Sequence, residues 1–371
     1  MVTGGGTGGH IFPALAIADC IRAKYPDTEF LFVGAEGRME MERVPQAGYN
    51  IVGLPVAGFQ RGLSLRSLQK NITFPIKLLR SARKARAIVK EFQPQVVIGT
   101  GGYASGPVMR AAQQLGIPTL IQEQNSYPGV TNRLLAKKAS RICVAYEGLD
   151  QWFPADKIIY TGNPVRQDIS NLSSKRAEAL QYFQLDPQRK TIYLTGGSLG
   201  AGTLNEAIKE GVALLSAPGA PNLIWQCGRY YHEMMKETEA AQLPNVHLMP
   251  FVDRVDLAYA AADVVVARAG ALTISELCVV GCPAILAPSP NVAEDHQTKN
   301  ALALVQVSAA RLVRDAEVVE KLLPEALMVL GNDALAFSLG ENIRPLGKPN
   351  AAKNIADEAL KLIQIPAKTT S

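Results

Sequence analysis

Glycine-rich loops are the first feature of this sequence that could support chemistry. They occupy residues 4–9, 99–106 and 196–200, and the first is followed directly by His10. Glycine lets backbone N–H groups approach an anion closely, and the positive end of a helix that starts after the loop favours negative charge. We therefore expect phosphate-binding turns, although each segment could instead be a tight turn that packs on a neighbour.

His10 stands where a general base would be useful. A histidine beside a bound phosphate or sugar can remove a proton from an attacking hydroxyl. A histidine at a helix start can also do no more than bond to the backbone, and the residues alone leave both interpretations open. The spacing of Gly4, Gly6 and Gly9 also matches G-x-G-x-x-G, which by itself is weak support for a dinucleotide-binding enzyme.

The third glycine loop has two competing interpretations. Its sequence around Ser198 matches G-x-S-x-G, the nucleophile elbow of α/β-hydrolases, and Asp263 and His296 follow in the order of that triad. A hydrolase does not need the two other glycine loops, and it would leave the polar segment 268–276 unexplained. We therefore interpret Ser198 as a phosphate ligand presented together with backbone amides.

Glu276 lies in that polar segment, after a glycine turn and near the start of a predicted helix. A carboxylate there can accept two hydrogen bonds from a vicinal diol such as the 2′ and 3′ hydroxyls of a ribose. The alternative is an acidic residue placed only to suit the helix dipole.

Amide and guanidinium side chains follow other apolar runs. Asn125 and Gln297 come after the predicted strands at 119–121 and 284–286, at the end where open α/β sheets bind ligands. Their amides suit sugar hydroxyls and an acetamido group, and Arg166 could neutralise a phosphate.

The elements that must position these residues alternate along the whole chain. Short apolar runs, often β-branched, are typical of strands buried on both faces of a parallel sheet, and amphipathic helical patterns separate them. The predicted strands are 30–33, 96–98, 119–121, 192–194, 264–266 and 284–286, and the clearest helices are 14–24, 82–92 and 204–215. The fold class is therefore α/β. Only three residues precede the first glycine, so a short first strand is expected.

The pattern runs twice, with a break at Asn163-Pro164. We expect an N-terminal domain over residues 1–162, a C-terminal domain over 163–349, and a last helix and tail over 350–371. A chain of 371 residues is long enough for two such domains, and the cleft between them is the expected ligand site.

The composition limits the classes of partner and cofactor that the chain is expected to bind. The net charge is +5, which permits an anionic partner but is too small to indicate nucleic acid. No D-x-D sequence and no zinc motif occurs, so we expect no metal held by the protein and no cofactor. The five cysteines, in mostly apolar surroundings and without a C-x-x-C, indicate reduced thiols.

Residues 76–92 have the composition of a membrane-surface helix. Leu78, Ala82, Ala85, Val89 and Phe92 recur at helical spacing among six basic residues, Lys77, Arg80, Arg83, Lys84, Arg86 and Lys90. Such a basic amphipathic surface binds anionic lipid headgroups. The alternative is an ordinary solvated helix packed on the sheet. Since no apolar run reaches the roughly 18 residues of a membrane span, any membrane contact is expected to be peripheral.

Together these motifs resemble a known family. The segments are GGTGGHIFPALA from Gly5, GTGGYASGPV from Gly99, QEQNSYPGVTNRLLAKKA from Gln122, GNPVR from Gly162, GGSLGA from Gly196, ARAGALTISE from Ala267 and HQTKNA from His296. In number and order they resemble those of bacterial undecaprenyldiphospho-muramoylpentapeptide β-N-acetylglucosaminyltransferases, the family that makes lipid II from lipid I in peptidoglycan synthesis. The resemblance covers nearly the whole chain.

The resemblance implies a GT-B fold of two Rossmann-like domains, with UDP-N-acetylglucosamine in the C-terminal domain and the lipid acceptor and membrane contact in the N-terminal one. It implies a peripheral enzyme on the cytoplasmic side of the inner membrane, with a part in cell shape and division. It implies that His10 is the catalytic base, that Glu276 holds the ribose, that Ser198 and the glycine loops bind phosphate, and that the backbone near Val252 contacts uracil. The positions that match the family's nucleotide-sugar contacts are Thr7, Gly8, Gly9, Asn125, Arg166, Ser198, Val252, Ala271, Leu272, Thr273, Ile274, Ser275, Glu276 and Gln297.

The predicted reaction is an inverting transfer to the C4 hydroxyl of the muramoyl sugar on a polyprenyl diphosphate. Three alternatives remain open from the sequence: another GT-B UDP-sugar transferase with a lipid acceptor, an α/β-hydrolase using Ser198, and a non-catalytic binder of lipid diphosphates.

Overall fold

A computed structural model describes residues 1–56, 74–169, 172–197, 199–292 and 295–363. The chain divides into two compact units. Unit 1 comprises Met1–Val165 and Asn350–Ser371, and unit 2 comprises Arg166–Pro349. The division therefore falls three residues beyond the predicted boundary, and the C-terminal segment is part of unit 1 rather than a separate piece.

Unit 1 contains one parallel seven-stranded sheet. Its strands are β1 Val2–Thr3, β2 Leu31–Ala35, β3 Asn50–Leu54, β4 Val97–Gly99, β5 Thr119–Glu123, β6 Arg141–Val144 and β7 Ile158–Tyr160. The strand order is β3-β2-β1-β4-β5-β6-β7. The helices of this unit are α1 Gly8–Lys24, α2 Glu40–Gln46, α3 Phe74–Phe92, α4 Ser105–Gln114 and α5 Val130–Ala136.

Unit 2 repeats the arrangement with six parallel strands. They are β8 Thr191–Thr195, β9 Asn222–Gln226, β10 Val246–Met249, β11 Val264–Ala267, β12 Ala284–Leu286 and β13 Arg311–Leu312, in the order β10-β9-β8-β11-β12-β13. Its helices are α6 Arg176–Tyr182, α7 Gly202–Glu210, α8 Val212–Leu215, α9 His232–Met235, α10 Val255–Ala261, α11 Ala271–Val280, α12 His296–Val305, α13 Val318–Leu330 and α14 Asp333–Ile343. The last helix of the chain, α15 Ala351–Lys361, belongs to unit 1.

The predicted strands and helices are confirmed, except that the helix predicted over 204–215 is divided at Gly211 into α7 and α8, and burial explains why the elements form. Every residue of β5, β8 and β11 is buried, as the continuous apolar runs predict for strands covered on both faces. The C-terminal helix α15 buries Ile355, Ala356 and Ala359 against α1 and the unit 1 sheet. Because these side chains complete the core of unit 1, α15 is a structural element of that unit.

Both sheets have the doubly wound strand order, in which the direction of winding reverses beside the first strand. In unit 1 the reversal lies between β1 and β4, and in unit 2 it lies between β8 and β11. Ligands of open α/β sheets bind outside the carboxyl ends of the strands at this point. The loops that follow these four strands are the three glycine loops and the segment before Glu276, so the fold places the predicted motifs at the two expected ligand sites.

Among the described residues no single helix is long and apolar enough to cross a membrane. The helical stretches 315–330 and 333–361, bent by 96° at their junction, meet the criterion together by length and composition alone.

Candidate active site

The two glycine loops of unit 1 pack directly on each other. The Gly5 amide donates to the Gly101 carbonyl at 3.3 Å. Gly102 has φ +84°, and a Cβ there would lie 2.1 Å from the Gly5 carbonyl oxygen. Gly101 has φ +99°, and a Cβ there would lie 3.0 Å from the His10 ring. Close packing therefore accounts for these second-loop glycines without a ligand.

The buried carboxylate of Glu40 holds the first glycine loop through hydrogen bonds. Both oxygens of Glu40 accept from the Gly6 amide at 3.1 Å, and its Oε1 also accepts from the Ala35 amide at 2.9 Å. Its side chain fills the space that a Cβ on Gly5 or Gly34 would need, since those atoms would lie 2.1 Å and 2.5 Å from Glu40. The Gly6 N–H, one of the donors expected for a phosphate, is therefore already used inside the protein.

The donors left to a ligand are at the start of α1. Thr7 is the exposed N-cap of this helix, and its side chain makes no capping bond. Gly8 and Gly9 are the first two helical residues, whose amides have no acceptor within the helix. The structure thus keeps Thr7, Gly8 and Gly9 together as a helix N-terminus that suits an anion.

His10 follows these residues on the first turn of α1. Its Nδ1 lies 2.9 Å from the Thr100 carbonyl oxygen and 3.2 Å from Gln124 Oε1. Burial lowers the pKa of His10, and the Glu123 and Glu40 carboxylates together with the bonds to Thr100 and Gln124 oppose that shift in part. A neutral imidazole whose Nδ1 donates has a lone pair on Nε2, which is what a general base requires.

Asn125 lies at the carboxyl end of β5 and is organised by Glu123. One Glu123 oxygen accepts from the Asn125 amide at 3.0 Å and from its side-chain Nδ2 at 3.3 Å. The other accepts from the Gly129 amide at 3.1 Å and from Asn132 Nδ2 at 2.8 Å. Glu123 therefore fixes the loop between β5 and α5, and Asn125 stands in that loop, partly exposed.

In unit 2 the third glycine loop is held by Gln226. Its Nε2 donates to the Gly197 carbonyl at 3.0 Å and to Thr195 Oγ1 at 2.9 Å, while its Oε1 accepts from the Val252 amide at 2.9 Å. Val252 is buried. Since its N–H is occupied, the predicted uracil contact at this position falls to the carbonyl group. Ser198, the predicted phosphate ligand, lies outside the described residues.

Glu276 is half-buried on α11, which begins at Ala271 with Gly270 as its N-cap. It is the sixth residue of the helix, beyond the first turn where a carboxylate gains from the dipole, so the dipole interpretation loses its support. Tyr259 Oη donates to Glu276 Oε2 at 3.0 Å. Burial raises the pKa of Glu276 to about 7, opposed by the Tyr259 bond and by Arg166.

The other predicted positions on α11 precede Glu276 in the first turns of the helix. Ala271 and Ile274 are buried, Leu272, Thr273 and Ser275 are partly exposed, and Ser275 Oγ donates to the Ala271 carbonyl at 2.9 Å. The first-turn N–H groups of α11, which follows the carboxyl end of β11, have no acceptor within the helix. An anion is therefore favoured at this helix start.

Arg166 is close enough to Glu276 to affect its pKa, and it is already paired. Its guanidinium donates to both oxygens of Asp168 at 2.6 Å. A phosphate that bonds to Arg166 must therefore share it with Asp168 or displace that carboxylate. The pairing reduces the net positive charge expected here from the sequence.

Gln297 is the second residue of α12, after β12. Its Oε1 accepts from the Ser289 amide at 2.9 Å, which leaves the Nε2 group as the donor for a sugar hydroxyl. The first turn of this helix also contains a bond from Thr298 Oγ1 to Asp295 Oδ1 at 2.7 Å.

The structure contradicts the hydrolase hypothesis. Asp263 precedes β11 at the amino end of the sheet, where it accepts from the Thr191 amide at 2.8 Å and pairs with Arg176 at 3.0 Å. The loop that contains Ser198 follows β8 at the carboxyl end, roughly 13 Å away along strands of four or five residues. Asp263 therefore cannot orient a histidine for a nucleophile in this loop, and the alternative interpretation as a hydrolase triad is excluded.

Helix α3, the predicted membrane surface, splits its apolar residues between two environments. Ala85 and Val89 are buried in the core of unit 1, whereas Leu78 and Leu79 are 49% and 60% exposed. Ala82, predicted to belong to the same stripe as Ala85, is exposed. The basic residues Arg80, Arg83, Lys84, Arg86 and Lys90 are exposed as well. The apolar surface left for a lipid is therefore at the N-terminal end of the helix.

Several residues of the site were missed from the sequence. Glu40, Gln226, Tyr259 and Asp168 hold the loops and the charged groups described above, but no motif or periodicity marks them. Asp168 alone had a usable signal, since a carboxylate two residues after Arg166 can pair with it. Among the described residues no cluster of three or more histidine, cysteine or acidic side chains could hold a metal ion.

Comparison with known proteins agrees with this geometry. Residues 1–144 match the N-terminal domain of glycosyltransferase family 28, and residues 191–358 match its C-terminal domain. A protein of Bacteroides fragilis named UDP-N-acetylglucosamine–N-acetylmuramyl-(pentapeptide) pyrophosphoryl-undecaprenol N-acetylglucosamine transferase is 54% identical over 366 residues, which is 98% of this chain and 95% of that protein. A Parabacteroides distasonis protein with the same name is 52% identical and covers 98% of each chain.

Solved structures show the same fold. The crystal structure of Acinetobacter baumannii MurG is 29% identical, with a TM-score of 0.73 over 97% of this chain and 98% of that one. A UDP-GlcNAc 2-epimerase from Neisseria meningitidis, bound to UDP-GlcNAc, is only 16% identical with a TM-score of 0.66, which shows the fold alone. The predicted class of two Rossmann-like α/β domains of the GT-B type is thus confirmed, and the chain belongs to glycosyltransferase family 28.

Proposed function

We propose that this chain transfers N-acetylglucosamine from UDP-N-acetylglucosamine to the C4 hydroxyl of the muramoyl sugar in undecaprenyl-diphosphate-linked MurNAc-pentapeptide, which converts lipid I to lipid II. The observation that carries the proposal is identity of more than half over 98% of the chain to proteins named for this transfer. The site adds a half-buried histidine whose Nδ1 lies against the Thr100 carbonyl, on the first turn of a helix whose N-terminus suits an anion.

Donor binding is assigned to unit 2. Glu276 accepts from the ribose hydroxyls, the carbonyl of Val252 contacts the uracil, and the first-turn amides of α11 bind the diphosphate. Gln297 donates from Nε2 to the sugar. Support comes from the position of these groups at the carboxyl ends of β10, β11 and β12, and from a Glu276 pKa near 7, a shift of the kind that clusters at functional sites.

Proton removal is assigned to unit 1. His10 Nε2 takes the proton of the acceptor hydroxyl as its oxygen attacks the anomeric carbon of the donor. The bond to the UDP oxygen breaks in the same displacement, so the configuration inverts and UDP leaves with the bonding electrons. The transition state has oxocarbenium character, and negative charge grows on the leaving diphosphate, where N–H donors of the helix starts stabilise it.

Membrane contact is assigned to the N-terminal end of α3. Leu78 and Leu79 would enter the headgroup region while the exposed arginines and lysines of the helix attract anionic lipid. The proposal is of a peripheral enzyme on the cytoplasmic face of the inner membrane, where its lipid acceptor is embedded.

The experiment that tests the function measures UDP release from UDP-N-acetylglucosamine with and without lipid I. The proposal expects release that depends on lipid I and yields a disaccharide-linked product. Diacylglycerol in place of lipid I tests the rival lipid acceptor, and turnover with it alone would contradict the proposal. Binding of lipid I with no UDP released would instead identify a non-catalytic binder.

The membrane assignment has its own test. Flotation with vesicles that contain anionic lipid compares the wild type with a Leu78→Ser, Leu79→Ser double variant and with a Leu346→Ser control, since Leu346 is 42% exposed in unit 2. We expect the double variant alone to lose binding, and wild-type binding to weaken as salt is raised from about 0.1 M to 0.5 M. Binding that neither change affects would refute the assignment.

A further inference from the structure

The neutral partners of His10 are an unexplained feature of the site. Nδ1 faces two oxygen acceptors, the Thr100 carbonyl at 2.9 Å and Gln124 Oε1 at 3.2 Å. An atom that faces only acceptors must carry the proton, so the geometry requires the Nδ1–H tautomer in the neutral ring. The lone pair is then on Nε2.

The orientation of the Gln124 amide decides this arrangement. Gln124 is buried, and its Nε2 donates to the Thr100 carbonyl at 2.6 Å and to Gln122 Oε1. If the amide were reversed, its NH₂ group would face the proton on His10 Nδ1, and its oxygen would face the oxygens of Thr100 and Gln122. Only the observed orientation satisfies every group.

Two more buried amides fix Gln122 in turn. Gln122 Nε2 donates to Asn163 Oδ1 at 3.1 Å, and Asn163 Nδ2 donates to the Gln124 carbonyl at 3.1 Å. Each amide in the series accepts at its oxygen and donates at its nitrogen. Such a fully satisfied buried network has one stable arrangement, because any flipped member leaves like groups facing each other.

Charged groups near His10 are engaged elsewhere. Glu123, on β5, accepts from Asn125, Gly129 and Asn132. Glu40, on α2, accepts from the amides of Gly6 and Ala35. Both carboxylates act on His10 through space, but no described carboxylate accepts its Nδ1 proton. The tautomer is therefore set by a side-chain amide and a backbone carbonyl rather than by an acid.

We propose that Gln124, oriented by Gln122 and Asn163, is a positioning residue that holds His10 in the Nδ1–H tautomer and so presents Nε2 as the proton acceptor. The proposal rests on the role of His10 in the proposed function. It explains why an uncharged side chain occupies this place: an amide fixes the tautomer without stabilising the imidazolium form as a carboxylate would.

The tautomer can be read without any activity. The chain has four histidines, so a His10→Ala variant identifies the His10 signals in ¹H–¹⁵N spectra of the full-length protein. The proposal expects a protonated Nδ1 and an unprotonated Nε2 above pH 7 in the wild type. In Gln124→Leu the Thr100 carbonyl is the one remaining acceptor of the two at Nδ1, so a measurable share of the Nε2–H tautomer should appear. A wild-type spectrum of the Nε2–H tautomer would overturn the proposal.

Steady-state kinetics distinguish a positioning role of Gln124 from an effect of its substitution on folding. Gln124→Leu should lower kcat in proportion to the share of His10 in the Nε2–H tautomer, about twofold where the two tautomers are equal, with little change in the KM of the donor. Gln124→Glu places a carboxylate against Nδ1, so the acid limb of the kcat profile should move to higher pH. The matched control is Gln113→Glu on α4, which loses bonds to Thr119 and Leu135 but does not contact His10.

An unshifted acid limb in folded Gln124→Glu would contradict the positioning role. If His10→Ala keeps normal turnover while the wild type shows the Nδ1–H tautomer, the base assignment fails and the structural claim about Gln124 stands. The two failures are therefore distinguishable.

Discussion

The sites of unit 1 and unit 2 lie at the same topological position of their sheets, but burial shifts the pKa of their key residues in opposite directions. In unit 1, burial lowers the pKa of His10 and keeps the ring neutral. In unit 2, burial raises the pKa of Glu276 to about 7 and brings a carboxylate close to protonation at neutral pH. Burial disfavours the charged form of either group, so a base gains an available lone pair while an acid becomes sensitive to pH.

Individual glycines of the loops differ in what selects them, and both kinds occur in each unit. In unit 1 a Cβ on Gly102 would lie 2.1 Å from the Gly5 carbonyl oxygen, whereas Gly6 has φ +90° and nothing within 4 Å of its Cβ position. In unit 2 a Cβ on Gly200 would lie 2.1 Å from the Cys227 carbonyl oxygen, whereas Gly197 has φ +80° and nothing within 4 Å. Close packing therefore selects glycine at one position in each unit, and the left-handed conformation alone selects it at another.

Loss of the base should have the largest effect. His10→Ala is expected to lower kcat about 10²- to 10⁴-fold, the usual contribution of a positioned general base, and to leave the Kd for UDP unchanged. Steady-state kinetics and titration calorimetry measure the two quantities. His247→Ala on β10, outside the site, is the matched control and should keep kcat. Normal turnover in folded His10→Ala would show that His10 is not the base, and the contrast with Glu276 would lose its functional meaning.

Gly102 of unit 1 and Gly197 of unit 2 should respond differently to one added methyl group, because only the first faces a close contact. Gly102→Ala brings a Cβ to 2.1 Å from the Gly5 carbonyl and should cost about 3 kcal/mol or more of the free energy of unfolding of unit 1. Gly197→Ala should cost unit 2 only about 1–2 kcal/mol, the penalty for a left-handed residue. The chain has one tryptophan in each unit, Trp152 and Trp225, so urea unfolding of single-tryptophan backgrounds reports each unit. Equal losses would show that the close contact at Gly102 does not add to the cost of its left-handed conformation.

Removal of the carboxylate in unit 2 should weaken donor binding by an intermediate amount. Glu276→Gln is expected to raise the Kd for UDP about tenfold, because charge-assisted hydrogen bonds to the ribose become neutral ones. Calorimetry measures the change, and Glu206→Gln on the exposed face of α7 is the control. Unchanged affinity in Glu276→Gln would show that the ribose is held elsewhere.

The opposite pKa shifts should give two pH dependences of the same sign in different pH ranges, because the useful form of each group is the deprotonated one, and these are the smallest expected effects. Since Glu276 accepts best when ionised and its pKa is about 7, UDP affinity should rise about three- to tenfold between pH 6 and pH 8, and Glu276→Gln should lose that rise. Since the pKa of His10 lies below its ordinary 6.5, kcat should hold down to pH 6.5 and fall only below it. Donor affinity that is flat across this range would contradict the account of Glu276.

The fold and the location of the sites follow from the sequence because their causes are local. Buried β-branched runs specify the strands, and the glycine loops mark the carboxyl ends of β1, β4 and β8. The doubly wound order then brings those ends to one edge of each sheet. The position of His10 on the first turn of α1 follows from the same local signals.

The partners of the site residues do not follow from the sequence, because they come from distant segments. Glu40 and Gln226 each bond to a loop at least 26 residues away, and no local pattern indicates that a polar side chain is buried against a particular amide. The predicted membrane stripe of α3 failed at Ala85 and Val89, which are buried in the core of unit 1, for a related reason. Helical spacing gives the faces of a helix, but the sheet decides which face it covers.

A double-mutant cycle of His10→Ala and Glu276→Gln tests most directly whether the two residues have separate roles. If His10 acts on the acceptor proton and Glu276 on the nucleotide, their effects on kcat/KM for the donor should multiply, with an interaction energy below about 0.5 kcal/mol. A double variant no worse than His10→Ala alone would show that the two residues act as one unit, and the assignment of separate tasks would be wrong.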